Sequence, residues 1–144
     1  MGTRSRIGVM FGETCRSVYC HWDGYPSHNG RILLEHYNSS KAANLVALGD
    51  MSSLRPNFEI PEGVEHDFNL PAEDITVYYG RDRGETGTEF KIDHSFGEFV
   101  NRVDQCGAEY YYLMKDGAWY YGSVYGNEKG TLKLLTEDEV KEPA

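Results

Sequence analysis

The chain has 144 residues, of which 40% are hydrophobic and 26% charged, and its net charge at pH 7 is −9. These values predict one globular domain, residues 1–144, and they disfavour direct nucleic-acid binding, because phosphates repel an acidic surface. No stretch approaches the roughly 20 apolar residues of a membrane span, and residues 1–13 lack a signal-peptide core. Three cysteines, an odd number, also fit a reducing compartment. The expected location is the cytoplasm.

The first predicted elements form an antiparallel hairpin. Strands are expected at residues 5–11 and 17–22, joined by a short polar turn. Alternation along the second strand places Cys20 and Trp22 on one face and His21 on the other. We therefore expect Trp22 to anchor the hairpin in the core.

Two helices are predicted to follow the hairpin closely. Residues 31–37 have the spacing of a short helix, and a second helix is expected over residues 41–48. Ser39 or Ser40 is the expected N-cap of the second helix. Gly49 stands where a left-handed C-terminal residue is favoured.

Residues 50–74 are predicted to be irregular, since they contain three prolines and have no clear hydrophobic period. Residues 51–100 carry four basic and eleven acidic side chains, a net charge of −7. Segments of this length are usually functional or mobile. A metal-dependent nuclease would also use clustered carboxylates, but no D-x-D pattern occurs and a solvated loop is favoured. Glu62, Glu65 and Asp67 are the predicted acidic surface for a basic partner.

The C-terminal half predicts further hairpins and helices. ITVYYG, residues 75–80, is typical of a strand, and Ser95 and Glu98 form a capping box before an apolar helical face. The KDG turn at residues 115–117 joins two aromatic strands. A short acidic tail helix is expected at residues 136–142.

Together these elements predict an α+β fold, with a mostly antiparallel sheet of about five or six strands and three or four helices packed on it. Residues 109–114, EYYYLM, form an aromatic strand. At a sheet edge this strand would also allow two chains to pair as a homo-oligomer.

The densest group of chemically active side chains lies in YCHWDGYPSHNG, residues 19–30. The predicted ligand- or partner-binding residues of this stretch are His21, Trp22, Asp23, Tyr25 and His28. One interpretation is a structural corner in which Asp23 or Asn29 caps the following helix. The other is a recognition pocket, in which the two aromatic rings stack on a flat ligand such as a nucleotide and the three polar side chains hydrogen-bond to it.

The spacing of the cysteines and histidines disfavours metal binding and covalent catalysis. Cys15 and Cys20 lack the C-x₂-C spacing of a zinc site, and adjacent strand residues such as Cys20 and His21 point to opposite faces. The cysteines are expected to be buried or half-buried thiols. Motifs of serine hydrolases and phosphate loops are absent. The sequence thus predicts no catalytic residue, metal or cofactor, with a hydrolase using His21, Asp23 and His28 as a further alternative.

TRSRIGV, residues 3–9, and residues 17–54 resemble a widespread family of small proteins encoded by bacteriophages and prophages. The YCHWDGYP block, the following helix and LGDMSSL carry the resemblance. Residues 93–121 extend it loosely, and residues 55–92 lie outside it. The resemblance implies a non-enzymatic accessory protein that binds and inhibits a host factor, such as a CRISPR defence system, in the cytoplasm of the bacterial host. It carries over no catalytic residues. The expected partner is a host protein with a basic surface, towards which carboxylates stand in for phosphates.

Overall fold

The computed structural model describes residues 2–125 and 130–141, and within them one mixed sheet carries helices on both faces. The strands are β1 (Ser5–Phe11), β2 (Thr14–Cys20), β3 (Met51–Ser53), β4 (Val77–Tyr78), β5 (Lys91–Asp93), β6 (Tyr110–Lys115), β7 (Ala118–Ser123) and β8 (Lys133–Leu134). The helices are α1 (Arg31–His36), α2 (Ser39–Ala47), α3 (Tyr79–Arg83) and α4 (Phe96–Gln105), and a π-helical turn, Pro26–Gly30, precedes α1. The α+β class is confirmed. The described strands number eight instead of five or six, and four of them span only two or three residues.

The strand order is β4-β3-β2-β1-β6-β7-β8, and β5 pairs separately with β2. Five of the pairings between these described strands are antiparallel, as expected for most of the sheet. The β1–β6 and β2–β3 pairings are parallel. These two pairings join strands that are distant along the chain, so local turn patterns do not indicate them.

The two faces of the sheet carry separate cores. Ile7 and Val18, which are paired across β1 and β2, face a large cluster that includes Leu33 of α1 and Leu45 of α2. The opposite face packs against α4, whose Phe99 is fully buried. Burial of each such side chain contributes about 1.5–3 kcal/mol. The described ranges contain no helix with the length and apolar character needed to cross a membrane.

The first hairpin is confirmed, but its second strand ends earlier than predicted. Gly12, with φ of 64°, lies in a two-residue turn between Phe11 and Thr14. β2 ends at Cys20, so the alternation used to orient Trp22 does not extend that far. The side chain of Trp22 is 42% exposed, and the prediction that it anchors the core is wrong.

The capping residue of α2 also differs from the prediction. Asn38, and not Ser39 or Ser40, accepts the backbone N–H of Lys41, at 2.9 Å. An asparagine side chain caps as well as serine does, and it stands one residue earlier. Gly49 has φ of 94°, as expected for the residue that ends the helix.

The predicted strand at residues 75–80 is replaced by the short β4 and by α3. The carboxylate of Asp82 accepts the backbone N–H of Tyr78 at 2.8 Å, and the helix begins at Tyr79. Residues 81–83, directly after the predicted strand, belong to this helix. The β propensity of ITVYYG is outweighed by this interaction between side chain and backbone.

The helix α4 and the second hairpin agree with the sequence. Ser95 accepts the N–H of Glu98 at 3.1 Å, although Glu98 reaches back to the N–H of His94 instead of that of Ser95. Asp116 and Gly117 both have positive φ, which suits a two-residue hairpin turn.

The predicted tail helix is not formed in the described residues up to 141, which make a turn at residues 137–140; residue 142 lies outside the described ranges. Within this turn, the carboxylate of Glu139 accepts the hydroxyl of Tyr121 on β7, so this side chain is engaged with the sheet.

The aromatic strand β6 lies inside the sheet, between β1 and β7. Its backbone groups are used on both sides, from Tyr110 to Met114 on one side and from Tyr110 to Lys115 on the other. This strand is not at an edge, so the proposed route to a homo-oligomer through EYYYLM is wrong.

Candidate functional site

Residues 19–30, hereafter the corner, join β2 to α1 by a sharp reversal of the chain. The backbone N–H groups of His21 and Trp22 donate to β3, and Asp23 then turns with φ of 56°. Gly24 donates to the carbonyl of Thr3 at 2.8 Å. An ideal Cβ on Gly24 would lie 2.8 Å from the Cβ of Ser5, so only glycine permits this close approach.

Asn29 holds the corner together from inside. Its side chain is fully buried, and its Nδ2 lies 3.2 Å from Ser5 Oγ, 3.4 Å from Cys20 Sγ and 3.3 Å from the carbonyl oxygen of Trp22. No side chain caps α1, so the prediction that Asp23 or Asn29 does so is wrong. The sequence pattern indicated Asn29 only as a candidate helix cap, because its partner Ser5 is 24 positions away.

The five predicted binding residues of the corner do not converge. His21 and Trp22 lie together, with ring centroids 4.7 Å apart, and His21 Nδ1 contacts the hydroxyl of Tyr19 at 2.8 Å. Burial, together with the positive charge of Arg4, lowers the pKa of His21.

The other three residues of the predicted set form a second group. Tyr25 donates to Asp23 Oδ1 at 3.3 Å, and the Tyr25 and His28 rings meet at 6.1 Å between centroids. His28 Nε2 lies 4.0 Å from Asp23 Oδ2, too far for a hydrogen bond.

A cleft of about 540 Å³ separates the corner from the chain around residues 53–56 and 73–74; we call it the corner cleft. Three carboxylates, one arginine, one histidine and an apolar wall line it: Asp23, His28, Ile32, Ser53, Leu54, Arg55, Pro56, Glu73 and Asp74. Neither ring of the predicted stacking pair, Trp22 and Tyr25, is part of this lining. The cleft therefore offers charged and hydrogen-bonding groups instead of an aromatic platform.

The cysteines are placed as expected, with Cys15 and Cys20 buried and Cys106 half-buried. Burial raises the pKa of Cys15 to about 12 and that of Cys20 to about 11. Both thiols are protonated at neutral pH, and a protonated thiol is a poor nucleophile and metal ligand. Within residues 2–125 and 130–141, no group of three or more His, Cys, Asp or Glu side chains is arranged to hold a metal ion.

Residues 54–74, hereafter the acidic segment, form the irregular part of the predicted region, because β3 occupies residues 51–53. All six of its carboxylate residues are exposed: Glu59, Glu62, Glu65, Asp67, Glu73 and Asp74. Three apolar side chains of the same segment are exposed too, Ile60 by 37%, Val64 by 41% and Leu70 by 78%. The segment thus presents acidic and apolar groups side by side along the chain.

A buried ionic network, the His66 clamp, holds the acidic segment against α3. It consists of His66, Arg81 and Asp82. The side chains of His66 and Asp82 are 0% and 1% exposed, and His66 Nε2 lies 3.0 Å from Asp82 Oδ2. His66 Nδ1 accepts the N–H of Ala72 at 2.9 Å, so Nε2 carries the proton and donates to Asp82.

Arg81 extends the His66 clamp along the segment. Its Nε donates to Asp82 Oδ1 at 2.8 Å, and its terminal nitrogens reach the carbonyl oxygens of Phe58 and Thr76. Burial alone raises the pKa of Asp82, but the hydrogen bonds from Arg81, Tyr78 N–H and His66 outweigh it and hold that pKa below its usual range. Asp82 is therefore ionised at neutral pH.

Further side chains fix both ends of the acidic segment. Tyr37 donates to the carbonyl of Arg55 at 2.6 Å, and Lys41 donates to that of Pro56 at 2.9 Å. Arg55 in turn donates to the carbonyl of Ala72 at 3.1 Å. The sequence left open whether this segment is functional or mobile. These hydrogen bonds hold it in one position, which disfavours a mobile loop.

The three predicted partner residues of the acidic segment differ in their surroundings. Asp67 Oδ1 accepts the backbone N–H groups of Asn69 and Leu70, both at 2.8 Å, so this carboxylate shapes a turn. Glu62 and Glu65 are exposed, and within the described ranges neither carboxylate holds a turn in this way. They are the better residues for testing surface charge.

The chain matches no family model, no curated protein sequence and no solved structure. The resemblance of residues 3–54 to phage-encoded proteins therefore stays a prediction.

Proposed function

We propose that this protein acts by binding, without catalysis, and that the acidic segment docks on a partner protein with a basic and partly apolar surface. Following the phage-like block in the sequence, we propose a host protein as the partner and its inhibition as the result, in the cytoplasm of the bacterial host. The resemblance suggests a defence system such as CRISPR as the target class.

One observation supports this proposal above the others: the His66 clamp is buried directly under a segment whose carboxylates are all exposed. A 21-residue irregular stretch ordinarily loses conformational entropy when it binds, which weakens affinity. Here much of this cost is met during folding, because hydrogen bonds with α3, Tyr37 and Lys41 hold the segment in place. A preformed acidic ridge is suited to recognition.

The chemistry of the exposed groups indicates the class of partner. Six carboxylates and one arginine give the acidic segment a strongly negative charge, which attracts basic surfaces and raises association rates at low salt. Ile60, Val64 and Leu70 add apolar area that carboxylates alone would lack. Interfaces combine such apolar contacts with a polar rim. We therefore expect a protein partner with lysine or arginine around an apolar centre.

The test compares two double charge reversals. Glu62→Lys with Glu65→Lys alters the acidic segment, whereas Glu13→Lys with Glu137→Lys makes the same change in net charge at exposed sites elsewhere. Proteins retained from a bacterial host lysate by the immobilised native chain are purified, and their affinities for all three chains are measured. We expect the first double variant to bind at least about tenfold more weakly and the second to bind nearly as the native chain does.

Two results would contradict the proposal. In the first, the native chain retains no protein beyond those retained by the Glu62/Glu65 double variant. In the second, both double variants lose affinity equally, which would show that net charge alone governs binding and that the acidic segment has no special part.

A further inference from the structure

We infer that the corner cleft receives an arginine side chain of the partner. This inference rests on the proposed function and names the residue type that would anchor the basic surface beside the acidic segment. The cleft adjoins that segment directly, since Glu73 and Asp74 belong to both.

Asn29 fixes the orientation of His28 in the corner cleft. Asn29 Nδ2 faces the carbonyl oxygen of Trp22, which can only accept, so its Oδ1 is the atom that meets His28 Nδ1 at 2.9 Å. His28 Nδ1 therefore donates, and in the neutral ring Nε2 carries a lone pair. This lone pair lies 4.0 Å from Asp23 Oδ2, another acceptor. With the ring neutral, Nε2 and Asp23 Oδ2 are two acceptors close enough for one donor group to reach both.

A guanidinium group matches this pair of acceptors on Asp23 and His28. It is planar and presents several N–H donors as a fork, so one group can donate to a carboxylate and to a neighbouring acceptor at once. A lysine ammonium is a compact point charge and lacks this geometry. The acceptors on Asp23 and His28 therefore favour arginine over lysine.

The wall of the cleft also suits an arginine side chain. Ile32, Leu54 and Pro56 supply apolar surface next to the charged groups, which suits the aliphatic stem of an arginine whose head is charged. The lining carries three carboxylates against one cation, Arg55. Arg55 donates to the carbonyl of Ala72, so its guanidinium is engaged with the wall of the acidic segment. The net charge of the lining attracts a second cation.

The test uses a short probe, acetyl-Gly-Arg-Gly-amide, at pH 7.5, with matched peptides that carry lysine or citrulline in place of arginine. Citrulline keeps the shape of arginine and removes its charge. Binding is followed by the amide resonances of Asp23, His28 and Asp74 in ¹H–¹⁵N spectra. We expect saturable shifts with the arginine peptide, weaker binding of the lysine peptide and no saturable response to the citrulline peptide.

A matched pair of variants makes this test specific. Asp23→Asn removes one acceptor charge at a residue with φ of 56°, and Asp116→Asn makes the same change at φ of 51° in the β6–β7 turn, outside the cleft. Asparagine tolerates this backbone region as aspartate does, so both variants should fold. We expect Asp23→Asn to weaken binding of the arginine peptide at least about tenfold and Asp116→Asn to leave it unchanged.

The inference is overturned if the arginine peptide gives no saturable shift, if the lysine or citrulline peptide binds as well, or if the two variants behave alike. The proposed function fails separately. If a captured partner binds Asp23→Asn as tightly as the native chain but is lost on reversal of Glu62 and Glu65, the binding function stands and the arginine anchor is wrong. If the peptide binds as expected and no partner is captured, the anchor site stands and the binding function is wrong.

Discussion

The corner and the acidic segment are both irregular stretches, and both are held in fixed positions, but by different chemistry. The corner is held by backbone bonds to β3 and to the chain before β1, with the neutral side chain of Asn29 at its centre. The acidic segment is held by ionisable side chains, chiefly His66, Arg81 and Asp82. In the corner, residues that look reactive in the sequence thus serve the structure. In the acidic segment, a stretch without a hydrophobic period is fixed by buried side chains.

This difference determines how each region responds to a mutation or to acid. The backbone bonds and the Asn29 side chain that hold the corner have no titrating group, so these bonds should keep their strength while carboxylates titrate. A buried ion pair loses its attraction when one partner is neutralised, and it leaves the other partner without a counter-charge. The acidic segment should therefore be the more fragile region, and three experiments can test this.

Removing Asp82 should have the largest effect. Asp82→Ala leaves His66 Nε2–H, the Tyr78 N–H and Arg81 without their shared acceptor, and breaking a buried pair in this way costs about 3–5 kcal/mol. Urea unfolding at pH 7 measures the loss of unfolding free energy. Amide exchange at Ala72, whose N–H bonds His66, should rise more than exchange at Gly24 in the corner.

Two further variants serve as controls, one for complete unfolding of the alanine variant and one for the loss of a carboxylate in general. Asp82→Asn keeps one acceptor and should cost less, so it remains folded if the alanine variant does not. Glu65→Ala removes an exposed carboxylate next to His66 and should change the unfolding free energy by no more than about 0.5 kcal/mol. An equal cost for Glu65→Ala and Asp82→Ala would show that the His66 clamp is not what holds the segment.

The separation of two contacting residues along the chain decides whether the sequence predicts their contact. The β1–β2 and β6–β7 hairpins and α4 depend on neighbours within a few residues, such as Ser95 and Glu98, and they were predicted correctly. Asn29 needs Ser5, 24 positions earlier, and His66 needs Asp82, 16 positions later. No local pattern encodes such pairs. The same limit explains why the sequence located the corner and its chemistry but not the cleft between the corner and residues 53–56 and 73–74.

Removing Asn29 should have the second largest effect. Asn29→Ala removes the buried donor to Ser5 Oγ, Cys20 Sγ and the Trp22 carbonyl oxygen, and the loss of these hydrogen bonds costs about 1–3 kcal/mol. Urea unfolding measures this loss, and amide exchange should rise at Gly24 while Ala72 stays protected, the reverse of the Asp82 pattern. Asn44→Ala, at an exposed position of α2, is the matched control and should cost nothing. If exchange at Gly24 and Ala72 rises together, the two regions open as one and the comparison between them fails.

Acid should have the smallest effect, confined at first to the acidic segment. The folded pKa of Asp82 lies below its unfolded value of about 3.9, so folding favours the ionised form. The stability that this group contributes is complete above about pH 4 and is lost as the pH falls through the folded pKa. Pepsin at pH 3 should therefore cut within residues 54–74 before it cuts the corner, and cleavage should slow between pH 3 and pH 4. The Asp82→Asn variant has no carboxyl to titrate at position 82, so its acidic segment should be open to pepsin at both pH values. If the native chain and this variant show the same change between the two pH values, then some other carboxyl controls the opening and the role given to Asp82 is wrong.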